Sequence, residues 1–117
     1  MKLPGPDHPI TIAPHAGHVI VRFGDTVVAD THNALELKEA KYPPVLYIPR
    51  ADARLSHYER TDHSTHCPYK GDASYFTLVD GSRRAENAVW TYETPFPAMA
   101  EIKEYIAFYP DKVSIAR

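Results

Sequence analysis

The chain has 117 residues, with 13 Lys plus Arg against 15 Asp plus Glu, and a single Cys. This length predicts one compact domain over residues 1–117 and leaves no room for two lobes around a cleft. One cysteine excludes an internal disulfide framework, and a formal net charge of -2 argues against a nucleic-acid binder with its basic face.

The first residues, Met1-Lys2-Leu3-Pro4-Gly5-Pro6-Asp7, have no apolar run of the signal-peptide kind. No stretch approaches the roughly 20 apolar residues of a membrane span, so no membrane partner is expected. With a lone thiol, these features favour the cytoplasm. Pro4, Pro6, Pro9 and Pro14 lack backbone donors, which leaves residues 1–16 open to being a mobile N-terminal stretch.

Strand-like runs then follow one another. His18–Phe23 and Thr26–Ala29 flank Gly24-Asp25 and predict a hairpin. Val45–Ile48 is a short apolar strand fenced by Pro43-Pro44 and Pro49. Ala73–Val79 ends at the turn pair Asp80-Gly81. Ala88–Tyr92 and Tyr105–Tyr109 make two more strands, with Val113–Ile115 closing the set. Two short helices are expected, Asp52–His57 after Pro49 and Ala98–Lys103 after Pro97. The expected fold is mainly β (α+β): a single small antiparallel sheet folded into a half-open barrel or sandwich, with one or two short helices.

Chemistry concentrates in Thr65–Tyr75, where a thiol, an amine, an imidazole and two phenols fall within one short segment. A lysine near a cysteine stabilises its thiolate, which makes Cys67 and Lys70 candidate reactive or anion-contacting groups. A free cysteine is equally at home as a small buried apolar residue. His57, His63, His66 and Cys67 are zinc-type ligands, but adjacent His66 and Cys67 point to opposite sides of an extended chain. Neither metal nor cofactor is expected. Lys70-Gly71 lacks the earlier glycine and following Ser or Thr of a P-loop. Glu39 and Arg50 could lie at the two ends of the Val45–Ile48 strand, while Trp90 and Tyr92 share one strand face.

Three segments resemble the family called domain of unknown function 427. Leu35–Glu39 leading into Tyr42–Asp52 is similar to its first signature, Thr65–Tyr75 to its second, and Asn87–Pro95 with Ile102 and Ala107–Val113 to its third. The match runs in order from about His18 to Val113, with Ala53 standing where the family tends to carry valine. The resemblance implies a small, mainly β, bacterial-type domain whose biochemical role is not established and which carries a nucleotidyltransferase label. Metal-dependent nucleotidyl transfer uses closely spaced carboxylates, and no acidic residue here is followed two positions later by another.

The resemblance also singles out motif positions. Cys67, Lys70 and Glu39 are the expected catalytic group, with Glu39 as general base or orienting carboxylate. Tyr47, Arg50, Thr65, Tyr75, Trp90 and Tyr92 are expected to bind ligand on one concave face. The expected function is binding of, or action on, a small anionic or nucleotide-like molecule. The competing expectation is a noncatalytic module for interaction or self-association, with exposed β edges offering a route to a homo-oligomer.

Overall fold

A computed structural model describes residues 1–117. Ten strands follow in chain order: β1 Ile10–Pro14, β2 Val19–Phe23, β3 Thr26–Thr31, β4 Leu35–Glu39, β5 Val45–Pro49, β6 Tyr58–Cys67, β7 Gly71–Asp80, β8 Arg83–Thr91, β9 Tyr105–Phe108 and β10 Ser114–Ala116. They form two antiparallel sheets, one of seven strands in the order β1-β4-β5-β9-β8-β7-β6 and one of three in the order β10-β2-β3. The fold is mainly β as expected, with the expected single sheet divided in two and neither closed into a barrel.

Neither predicted helix forms as an α-helix. The first is replaced by 3-10 turns at Arg50–Asp52 and Leu55–His57, the second by a kinked 3-10 segment at Pro97–Ile102. None carries a side-chain cap, and burial holds the last one through Met99 and Ile102. No helix is long and apolar enough to cross a membrane.

The hairpins follow from turn chemistry. Gly24 at φ 60° and Gly81 at φ 61° occupy the left-handed region that the β2–β3 and β7–β8 turns require. The two turns are tied together: Thr26 Oγ1 donates to Asp80 at 2.6 Å, and Arg83 Nη2 donates to the Phe23 carbonyl at 3.1 Å. Three strands go beyond the expected set. The polar alternation of β6 and the charges of β4 hide both from an apolar-run reading. β1 falls within 1–16, where it pairs with β4 from Ile10↔Glu39 to Pro14↔Leu35.

Alternating side chains give the large sheet two apolar faces. Leu46, Ile48, Leu78, Val89 and Ile106 face the small sheet and pack with Val19, Val21 and Val28. Tyr47, Ala73, Tyr75, Tyr92 and Ala107 belong to a second cluster completed by Leu37, Met99 and Ile102. On the small-sheet side, Arg50 and Arg60 lie 5.7 and 5.0 Å from the centre of the Phe76 ring and both bond Glu93. Arg50 also donates to Thr91 Oγ1 at 2.9 Å. Hydrogen bonds from Arg60, opposed by burial and helped by Arg50, hold the Glu93 carboxyl down at about 2.

A carboxylate depressed in the folded state stabilises it above its unfolded value, and that contribution disappears as pH falls through the folded one. Glu93→Gln should therefore lower the urea midpoint at neutral pH. The gap from wild type should close between about 4.5 and about 2, the range set by the ordinary and the depressed value. Equal gaps at every pH would rule out this role.

Candidate functional site

A cavity of about 500 Å³ opens on the face of the large sheet turned away from the small one. Several segments build it. β4 contributes Leu37 and Glu39, β5 Val45 and Tyr47, β7 Tyr75, β8 and the residues after it Trp90 and Tyr92, and the end of β6 with the β6–β7 turn Cys67, Tyr69 and Lys70. That turn is Pro68-Tyr69-Lys70 between the paired residues Cys67 and Gly71. Gly71 adopts φ 115°, and a Cβ there would lie 3.5 Å from the Thr94 carbonyl oxygen. The Lys70 carbonyl accepts from Phe96 N–H at 2.9 Å, which fixes the turn against the 94–96 segment. Glycine thus lets the chain reverse where the lysine must enter the cavity.

The Lys70 side chain is 9% exposed and its Nζ donates to Glu39 Oε1; Glu39 is 16% exposed. The other oxygen of Glu39 bonds His8 Nε2 at 2.7 Å, and the His8 ring stacks on Tyr69 at 4.0 Å between ring centres. Burial works to raise the Glu39 carboxyl, but the hydrogen bonds from Lys70 and His8 outweigh it and hold the group below its ordinary value. Glu39 is therefore ionised at neutral pH, and the pair is an ammonium facing a carboxylate.

The rest of the lining is largely aromatic. Trp90 Nε1–H donates to the Tyr47 hydroxyl at 3.2 Å, and the Trp90 and Tyr109 rings are 4.7 Å apart. Tyr75 and Tyr109 bring their hydroxyls to 3.4 Å, and Thr65 Oγ1 lies 3.0 Å from that of Tyr75. Burial pushes the phenols of Tyr47 and Tyr92 up, and burial with the Tyr75 hydrogen bond pushes Tyr109 up to about 12. At neutral pH all three are neutral phenols.

Of the sequence-derived residues, Glu39, Tyr47, Cys67, Lys70, Tyr75, Trp90 and Tyr92 line this one cavity. Thr65 stands behind it and touches Tyr75. Arg50 lies elsewhere, bound to Glu93 and Thr91, because it follows β5 in a turn that bends toward the small sheet. Cys67 is half-buried in the wall. His57 and His63 lie apart, on the Val79 carbonyl at 2.9 Å and on the Tyr75 ring at 4.4 Å, whereas His66 reaches the rim and bonds Asp72. No three His, Cys, Asp or Glu side chains converge to hold a metal.

A scan of protein-family models matches residues 11–117 to one family, described as domain of unknown function 427. The chain belongs to that family. No curated protein matches the chain. Within the family's matched region lie every cavity residue except His8, which precedes it at position 8. His8, Tyr69 and Tyr109 are among the cavity residues that the sequence did not single out as candidates. Tyr109 lies inside the family-like segment Ala107–Val113, just after β9 and two residues from Ala107, a usable signal. His8 gives none, since 31 residues separate it from Glu39.

Lys70→Met should destabilise this family member by about 1–2 kcal/mol in urea unfolding, because it removes the cation from a half-buried carboxylate that keeps only His8. The double variant Lys70→Met/Glu39→Gln removes both charges and should recover most of that loss. With Glu39→Gln measured alone to complete the cycle, a double variant whose loss equals the sum of the two single losses would mean that the pair is not coupled.

Proposed function

We propose that the domain binds a small anionic or nucleotide-like molecule in the cavity between the Glu39–Lys70 pair and the Trp90–Tyr109 wall. The observation that carries this reading is the convergence of sequence-distant groups. A largely buried ion pair and a set of aromatic rings line the same cavity of about 500 Å³. Small-molecule sites have this character: mostly apolar walls with a few placed polar groups. Cys67 and Lys70 are the candidate reactive groups, with Glu39 orienting the lysine.

The family's short label points to nucleotidyl transfer. Glu39 is the one carboxylate in the cavity lining, and Lys70 and His8 occupy both its oxygens. This favours ligand binding over a metal-dependent transfer built on paired carboxylates. The alternative, an interaction or self-association module, would use the outer strands β1 and β6. β6 is polar, largely exposed and irregular between Arg60 and Ser64, features that discourage pairing of edges. β1 is short and ends on Pro14.

Thermal-shift screening against nucleotides, nucleosides, phosphorylated metabolites and divalent metals tests the proposal. A ligand present at about a hundred times its Kd stabilises by roughly 2.7 kcal/mol, enough to raise Tm by several degrees. The shift should be lost in Trp90→Leu, and the ligand should slow alkylation of Cys67, the single cysteine. No shift across the panel, with alkylation unchanged, would leave the interaction module as the better account.

A further inference from the structure

Two groups lining the cavity, Lys70 and Tyr47, hold spare donors. An ammonium carries three N–H donors, and Glu39 takes one of those on Lys70. The Tyr47 hydroxyl accepts from Trp90 at 3.2 Å, which leaves its own proton to be donated. The acceptor capacity of Glu39 faces Lys70 and His8 rather than open space. Donors left unpaired in a partly dry cavity are costly, so a ligand presenting carbonyl or carboxylate oxygens complements them. Tyr47 and Tyr92 are phenols, protonated at neutral pH, so each carries an O–H.

Charge narrows the choice further. Lys70 and Glu39 cancel one another, and no arginine lines the cavity. The remaining basic side chains are the imidazoles His8 and His66, and Asp72 binds the second of these at 2.7 Å. A polyphosphate would therefore bring several negative charges to a floor with almost no net positive charge. The carboxylate that could draw in its metal ion is already engaged. A flat ring suits the aromatic wall, where Trp90 and Tyr109 are tilted by 53° and Tyr47 meets Trp90 edge-on.

We infer that the ligand is a flat, acceptor-rich heterocycle that is uncharged or carries a single carboxylate, taken in preference to a nucleoside triphosphate. This rests on the cavity being a ligand site, as proposed above, and narrows the nucleotide-like class to its base-bearing end. The Tyr47 hydroxyl and Lys70 ammonium bind the ligand's oxygens, and Trp90 with Tyr109 flanks its ring.

Trp90 is the only tryptophan, so its fluorescence reports occupancy directly. The full chain is titrated with uracil, hypoxanthine, orotate and UTP, the last with and without Mg²⁺. Protection of Cys67 from iodoacetamide serves as a second readout. The expected result is saturable quenching by at least one base or by orotate, at a concentration about tenfold or more below that for UTP. Tyr47→Phe, which keeps the ring, should weaken that ligand by about tenfold, the equivalent of one lost hydrogen bond to a charged or strongly polar acceptor. If UTP binds as tightly as the best base or orotate, this inference is overturned while the cavity remains a ligand site. An unchanged affinity in Tyr47→Phe would overturn the donor argument. If no probe quenches Trp90 or protects Cys67, the inference and the small-molecule reading fall together.

Discussion

Side-chain alternation along the seven-stranded sheet is the constraint on which the remaining structure depends. Each central strand must supply two apolar compartments at once. Leu46 and Ile48 of β5 go to the core under the small sheet, and Val45 and Tyr47 go to the cavity face. β8 divides in the same way, with Val89 on one side and Trp90 on the other. A slip of one residue in register would exchange the two sets and put tyrosine hydroxyls into the dry core. The packing that stabilises the domain therefore also fixes where its polar aromatic groups can be.

The Glu39–Lys70 pair closes this arrangement from the side. It joins the end of β4 to the β6–β7 turn, two places that have no shared backbone ladder. A buried pair contributes little net stability against an apolar replacement of similar volume. Its value lies in specification, because the turn has one position in which the ammonium reaches its carboxylate. Gly71 makes that position reachable, and the Phe96–Lys70 backbone hydrogen bond keeps it there.

Much of the strand set was legible from β-branched and aromatic runs punctuated by glycine and proline, as in β2, β3, β5 and β7. β6 was not, because an edge strand exposed along most of its length has no apolar stripe to betray it. β1 was obscured by its prolines, which an edge position tolerates. The expected helices came out as 3-10 turns because segments of three to six residues are too short for α-helical cooperativity. Of the candidate site, the family-like segments brought seven of the nine named residues to one cavity. Arg50 went elsewhere for a reason invisible in one dimension: the partner that captures it, Glu93, is 43 residues away.

The position of β1 gives the site an unequal mechanical footing. Only β4 holds this strand, and outer strands open more readily than central ones. His8 lies just ahead of it, and the Pro9 carbonyl accepts from Ala40 N–H at 2.7 Å beside Glu39. When β1 frays, Glu39 gives up one of its two donors and its charge becomes less well screened from the cavity. The electrostatics of the pocket floor are thus set partly by the local opening free energy of the outermost strand. Polarity at the floor and cohesion at the sheet edge vary together.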